Sequence, residues 1–417
     1  MLHWKLNFKA RIFVLSFLTS ICGWSQLMLN DPSLLEDFPE KSIIYSGFGY
    51  YGSTALDNET TSLFNNGGFY SPSLKLETQK RLRNYNYLGV EYSNKLEYTD
   101  SGSELIAGMG HYVNIESAGS QGLIFSKDLF NIIFEGNGNY VGDTAWLSRT
   151  EYSGYGYQKI GFGIANKGKF KAGLGLLNFT NYRSGILDKS YLYTSPAADS
   201  IFLEAEGRFK NGTGSSTGIG IGIDFEIVSN LLSTDSIVSS SRGFVLGARN
   251  LGVYIGNSNT QHYRMDTSYS FTGFEVNSLT DIQAELFASE KLTDTLLPNA
   301  ESKRHFELLP AEVYFYSPAD PIGKKLQVIY GFRYRIKSAT QAMVTFGINY
   351  RASEQLQLNT YLIGGGFNYV QWGVSLDKKF NQVNLGLGFN NMIGLLSKEG
   401  YGKSASLTLK YTFKDEE

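Results

Sequence analysis

The stretch Leu326-Gln-Val-Ile-Tyr-Gly-Phe-Arg-Tyr-Arg-Ile336 decides the fold class. Leu326, Val328, Tyr330, Phe332, Tyr334 and Ile336 fall on one side of a period-two pattern. Gln327, Ile329, Gly331, Arg333 and Arg335 fall on the other. Period two is the strand period, because successive side chains point to opposite faces. The pattern recurs to the C-terminus. Val344, Phe346, Ile348 and Tyr350 alternate with Thr345, Gly347, Asn349 and Arg351. Val370, Trp372, Val374 and Leu376 alternate with Gln371, Gly373 and Ser375, and Leu407, Leu409, Tyr411 and Phe413 with Thr408, Lys410 and Thr412.

Each run is about ten residues long, the length a tilted strand needs to cross a bilayer. The connections Lys337-Ser338-Ala339, Ala352-Ser353, Gly364-Gly365 and Asp377 to Asn381 are short, so consecutive strands are antiparallel neighbours. The same alternation runs through Leu88–Leu96, Phe170–Leu176 and Ile219–Ile227. A soluble sandwich also alternates. Here the strands are long, and one face carries Gly, Asn, Gln, Ser and charge, too polar for a dry core. The chain also closes on an alternating strand with a late aromatic, Phe413, which resembles the C-terminal signal read by bacterial barrel-assembly machinery. The expected fold is an all-β, transmembrane, antiparallel up-and-down barrel. It has about fourteen strands, with twelve to eighteen fitting the pattern, and a short helical or loop insertion.

Composition agrees. Charged residues are 18% and aromatics 14%, with Gly 46, Pro 8 and Cys 1. Few charges and many aromatics exclude a disordered chain. A net charge of -2 excludes a strongly basic nucleic-acid binder. The mean hydropathy of -0.19 excludes a polytopic helical membrane protein.

Lys5, Lys9 and Arg11 precede the apolar run Ile12 to Cys22, and Gly23 to Gln26 follow. This is the layout of a signal peptide over residues 1–25, which leaves residues 26–417 as the barrel domain. Cys22 leaves with the signal; a lipoprotein reading of Cys22 is disfavoured by Ile21, where a small residue is required. Residues 26–40 read as a periplasmic extension or a plug. Within 120–150, Leu129, Ile132 and Ile133 follow Ser126 at helical spacing, which predicts a short helix or folded loop. Residues 275–304 form the longest polar connection, with a helical turn or two over Ala284 to Lys291.

Paired glycines such as Gly161/Gly163, Gly173/Gly175 and Gly386/Gly388 do not sit between a strand and a helix, as a dinucleotide site requires. His3, His111, His262 and His305 show no metal-ligand spacing. No nucleophile, cofactor or metal is expected, and no enzymatic activity. The inward charges carry more information. Alternation points Arg333, Arg335, Arg351, Lys410, Asp224 and Glu226 into the lumen, and Glu204, Glu206, Arg208 and Lys210, which share one face of a further strand, are expected in the same lumen charge network. Two readings compete: a charged constriction that selects solutes, and a cross-lumen ion-pair network that closes the barrel. Both signs are abundant, which favours the network.

Asp143-Thr144-Ala145, Asp199-Ser200-Ile201, Asp235-Ser236-Ile237 and Asp294-Thr295-Leu296 share one form. They resemble the O-glycosylation signal of Bacteroidota periplasmic proteins, which makes Thr144, Ser200, Ser236 and Thr295 candidate acceptors. Ordinary loop composition accounts for the four as well.

Asp128 to Asn137, Tyr155 to Ile164, Lys169 to Leu177 and Arg249 to Ser258 together resemble an uncharacterised Bacteroidota outer-membrane barrel family. The architecture is more loosely similar to type IX secretion membrane proteins and fatty-acid-transporter-like barrels. The resemblance implies an outer-membrane location and carries over no site residues. The expected partners are outer-membrane lipid and lipopolysaccharide, the barrel-assembly machinery during insertion and an envelope protein, with no nucleic acid. The leading functional expectation is a structural or partner subunit of an envelope complex for secretion, motility or assembly. The alternative is a passive or gated channel for small or apolar molecules.

Overall fold

The computed structural model describes residues 41–103, 109–166, 170–212, 215–231, 242–271, 300–322 and 325–413. The expected signal peptide over 1–25, the 26–40 segment, Ser236, the helical turn expected over Ala284 to Lys291, and Thr295 lie outside the described residues.

The strands in chain order are β1 (Lys41–Ser53), β2 (Asn86–Asp100), β3 (Gly110–Phe125), β4 (Thr144–Trp146), β5 (Thr150–Asn166), β6 (Phe170–Thr194), β7 (Ile201–Asn211), β8 (Gly218–Leu231), β9 (Arg242–Gly256) and β10 (Gln261–Phe271). They continue as β11 (Glu301–Ser302), β12 (His305–Leu308), β13 (Glu312–Ile322), β14 (Leu326–Arg335), β15 (Met343–Ser353), β16 (Leu356–Gly364), β17 (Val370–Phe380), β18 (Val383–Phe389) and β19 (Gly402–Thr412). Antiparallel pairing runs β1-β2-β3-β5-β6-β8-β9-β13-β14-β15-β16-β17-β18-β19 and returns to β1, a closed ring of fourteen strands. Closure leaves no unpaired edge, which hydrocarbon would penalise at every backbone group.

The ring is inside-out compared with a soluble domain. On β5, Ile160 is 60% exposed while its neighbour Lys159 is 1% exposed. Ile115, Phe162, Leu176, Ile221, Phe346 and Leu362 likewise stand exposed on the outer wall, and Asn114, Thr345, Asn359, Ser375 and Thr408 are buried inside. An apolar outside around a polar inside is the pattern of a barrel whose solvent is lipid. No helix among the described residues is long and apolar enough to cross a membrane.

The two ends differ. Short turns join β15 to β16 at Glu354-Gln355 and β17 to β18 at Asn381-Gln382, on the side where β1 begins and β19 ends. β17 reaches Phe380, so the turn expected from Asp377 to Asn381 shortens to its last part. Among the described residues, the opposite rim carries four α-helices: α1 (Asn58–Asn66), α2 (Pro72–Arg81), α3 (Lys127–Glu135) and α4 (Met392–Leu396). Helix α3 is the element expected within 120–150. The Ser126 hydroxyl accepts from the Leu129 amide at 3.0 Å and caps it, although residues up to Phe125 belong to β3. Helices α1 and α2 were not anticipated by the strand pattern. Their signals are local: Asp57 caps α1, and Ser71 caps α2 with Pro72 in its first turn.

Strand β6 is 25 residues long and outruns the ring. From Phe170 to Phe179 it pairs with β8; from Arg183 to Thr194 it pairs with β7, which pairs with β10. These upper segments form a sheet that stands above the rim.

Candidate functional site

The lumen is filled in layers, each set by the inward parity of the strands. The uppermost is a lid. Phe367, in the β16–β17 connection, is fully buried and crosses the mouth to Gly89 and Gly122 on β2 and β3. A Cβ at Gly89 would lie 2.1 Å from the Phe367 ring, so only glycine admits this wedge. The Phe367 ring stacks on Tyr50 at 5.6 Å, and its amide donates to the Tyr50 hydroxyl at 3.1 Å. Gly365 and Gly366, with φ of 97° and 75°, make the turn. The β14–β15 connection joins the lid: Gln341 donates its amide to the Gly366 carbonyl at 3.1 Å, and Ala339 donates to Ser153 Oγ on β5 at 2.8 Å.

Beneath the lid, Arg333 and Arg335 on β14 meet Glu91 on β2 and Glu312 on β13. Arg333 Nη2 lies 3.2 Å from Glu91 Oε1, and Arg333 Nε donates to Glu312 Oε2 at 2.7 Å. Arg335 bridges the same two carboxylates, with its Nε 3.0 Å from Glu312 Oε2. Phe48 lies under both guanidinium groups, at 5.8 and 6.0 Å. β2 and β14 are seven places apart in either direction round the ring of fourteen, so this contact spans the lumen.

A third layer is organised by Lys159 on β5. Its ammonium donates to Asp224 on β8 at 2.5 Å and to Asn250 on β9 at 2.7 Å. Asn250 donates its side-chain amide to the Tyr157 hydroxyl (2.9 Å), which donates to Glu116 (3.2 Å). Tyr314 donates to Glu226 at 2.7 Å, and Arg249 lies 5.2 Å from the Tyr314 ring. Lower still, Glu97 takes both Lys95 (2.6 Å) and Lys171. Across these layers six cations face six anions. Buried charges of one sign would be prohibitive; matched and hydrogen-bonded ones are tolerated. The cavity left between the second and third layers is about 70 Å³, lined on one side by Tyr155, Tyr157, Tyr314 and Tyr316. That is room for a few waters.

Of the residues nominated from sequence, Arg333, Arg335, Asp224 and Glu226 stand in this network, and Lys410 is buried in the lumen wall lower down. Arg351 is exposed at the far end of β15. Glu204, Glu206 and Arg208 need correction. They belong to β7, which is not a ring strand, and stand in the rim sheet, where Arg208 faces Asp188 at 3.9 Å. Alternation reports which residues share a face, not whether the strand belongs to the ring. Lys210, also on β7, pairs with Glu307 at the rim. Glu91, Glu97, Glu116, Lys159, Arg249 and Glu312 were not nominated. Glu91 and Lys95 share the inward parity of β2, so the signal was there; the partner across the lumen was not.

At the rim, His262 and His305 lie ring to ring at 4.9 Å. Glu307 accepts from Tyr182 at 2.6 Å and pairs with Lys210 and Lys337. Burial pushes the His305 imidazole down to about 4, and Lys210 and His262 push the same way against Glu307. Ser200 sits in an exposed turn and donates to Asp199 at 3.1 Å; the Ser195 and Ser200 hydroxyls hold that carboxyl below its ordinary value. Thr144 is half-buried on β4, and its amide donates to Asp143.

No family model and no curated protein matches the chain, so the likeness to a Bacteroidota family stays a resemblance. Several solved barrels are similar over nearly their whole length. The Ralstonia pickettii toluene transporter TbuX is 9% identical, covering 93% of each chain, with a TM-score of 0.39. The P. putida toluene transporter TodX is 9% identical, covering 91% of this chain and 92% of its own, at 0.38. A Pseudomonas aeruginosa FadL homologue is 8% identical, covering 90% of each chain, at 0.35. Nothing about ligand or partner passes from them to this chain.

Proposed function

We propose that the chain is a gated channel of the bacterial outer membrane, exported by the signal at 1–25 and held shut in this conformation. The solutes it would pass are small molecules with a ring-containing or otherwise apolar body. The observation that carries the proposal is how the lumen is closed. The wall around β15 to β19 is built of small inward residues, including Ser375, Gly386, Gly388, Ser406 and Thr408. What blocks the axis is a set of exchangeable contacts: two arginines that share Glu312 on the neighbouring strand and reach across to Glu91, and a lid of two loops joined by one backbone hydrogen bond. Moving the Arg333–Arg335 pair toward its own wall would join the tyrosine-lined cavity to the mouth. Four tyrosines along that route suit planar apolar bodies. With both signs of charge balanced, the route carries no strong preference for ionic sign.

The test is solute flux into proteoliposomes with phenol and toluene as probes, comparing the native chain with Arg333→Ala/Arg335→Ala. Flux that rises in the variant supports the gate. Flux that is absent from both leaves the chain no channel.

A second reading, the scaffold or partner subunit, is supported by the rim. Phe69, Trp146, Phe306 and Leu396 are large apolar side chains left exposed among the loop-end elements. Native co-purification from outer membranes tests it: a stoichiometric envelope protein favours this reading, and isolation of the chain alone opposes it.

A further inference from the structure

We propose that the outer wall over β2, β3, β5 and β6 holds a specific site for one bilayer lipid, whose acyl chain bears amide or hydroxyl groups near its head. The inference rests on the lipid-facing belt and not on the channel reading.

Four uncharged polar residues lie in direct register across these strands. Asn94 pairs with Ser117, Ser117 with Gln158, and Gln158 with Asn178. Their strand neighbours fix the direction. Gln158 lies between the inward Tyr157 and Lys159, and Asn178 between the buried Leu177 and Phe179, so the row faces outward. The next outward row toward the chain-end side is Leu96, Ile115, Ile160, Leu176 and Ile221, again in register. The two rows, Ile221 excepted, line a hollow of about 710 Å³ in the wall. It lies where β6 passes from β8 to β7 and where the β5–β6 register slips at Gly156/Tyr157.

The ends of the polar row are occupied. Tyr45 donates to Asn94 at 3.1 Å, and Ser216 donates to Asn178 at 2.7 Å. The two middle side chains, Ser117 and Gln158, have no hydrogen-bond partner among the described residues. On a face turned to hydrocarbon, a bare hydroxyl and a bare carboxamide are costly. A ligand that meets them must bring donors and acceptors of its own. The charged groups beside the hollow are already paired toward the lumen: Lys95 with Glu97, Lys159 with Asp224, and Glu116 with Tyr157. The row therefore suits a neutral amide, ester or hydroxyl, and the leucine and isoleucine row below suits the chain that follows it. The volume falls within the range of small-ligand sites. Leu177, Phe179 and Tyr157 seal the wall behind, so the occupant stays on the lipid side.

Native mass spectrometry of the folded chain in detergent tests this, titrating with lipid A, whose acyl chains carry amide and hydroxyl groups, and separately with phosphatidylethanolamine. The expected result is one lipid A retained in preference to phosphatidylethanolamine. Ser117→Leu/Gln158→Leu should weaken that retention about tenfold, the effect of losing two hydrogen bonds. Leucine is at home on a lipid-facing strand, so the variant should fold, as heat-modifiable gel mobility will report. Ile160→Trp, which sets a bulky ring into the floor of the hollow beside Gln158, should weaken lipid retention independently. Equal retention of both lipids by the native chain, marking an ordinary boundary lipid only, overturns the proposal. So does unchanged retention of lipid A in the folded variants.

Discussion

Arg335 on β14 and Glu91 on β2 meet across the barrel from strands seven places apart in a ring of fourteen. A salt bridge of this kind is a strut, because it fixes the distance between opposite walls. With Arg333 and Glu312 it makes a four-membered cluster in which every guanidinium touches both carboxylates. Its energetics differ from those of a surface pair. Removing one member strands a buried charge, whereas removing both ends removes the desolvation penalty with the attraction.

That asymmetry gives the first prediction. Glu91→Leu alone should destabilise the folded barrel by about 3–5 kcal/mol, and Glu91→Leu/Arg335→Leu by clearly less than the single change. Urea titration followed by heat-modifiable gel mobility measures both. Additive losses would show that the contact is not a coupled strut.

The lid gives the second. Phe367→Ala removes the fully buried ring that fills the space over Gly89 and Gly122. A large-to-small change of this kind costs about 3 kcal/mol when the surroundings cannot collapse. Liposome-swelling rates should rise in parallel, and swelling that stays at the native rate would place the barrier below the lid.

The third concerns pH at the rim, outside the lipid belt. His305 is buried neutral with its pKa depressed to about 4 from an ordinary value of 6.5. Between those values the unfolded form binds more protons than the folded one, so stability falls as pH drops through the window and levels off below it. His305 joins β12 to Gly256 on β9 and faces His262 of the rim sheet. Amide exchange in β10 and β12 should therefore speed up between pH 6.5 and about 4, relative to the ring strands. His305→Phe should flatten that dependence, and an unchanged profile in that variant would assign it to other groups.

The fourth concerns the helices that cover the rim. Asp57 is buried, its Oδ1 accepts the Thr60 amide at 2.8 Å, and its Oδ2 pairs with Arg81 at 2.6 Å. One side chain thus caps α1 and ties it to α2. Burial pulls the Arg81 guanidinium down, but Asp57, together with Tyr401 and Glu77, holds it above its ordinary value. Asp57→Asn should keep most of the cap and lose the pair, and Asp57→Ala should lose both, at about 1–2 kcal/mol more. Proteolysis in the 57–85 segment should follow that order, native slowest; equal rates for the two variants would show that the cap contributes nothing.

The barrel was legible because lipid makes a simple demand. Ile160 beside Lys159, and Phe332 beside Arg333, state which face meets hydrocarbon without any reference to neighbours. The strand parity of Arg333, Arg335, Asp224 and Glu226 followed from the same rule. Two things were not legible. One was ring membership: Glu204 alternates as cleanly as Glu226, yet β6 leaves β8 for β7 part-way along its length, and only the pairing reveals it. The other was partnership across the lumen. Glu91 and Arg335 are separated by most of the chain, and no local pattern sets two strands seven places apart against each other. The helices α1 and α2 were signalled by capping residues that a period-two reading passes over.

Single-channel recording in a planar bilayer tests the central claim, that a cross-lumen arginine–glutamate layer holds this barrel shut. The native chain should show rare, small openings, and Arg333→Ala/Arg335→Ala should show long openings of larger conductance. A native barrel that is steadily open, or a folded double variant as silent as the native chain, would contradict it.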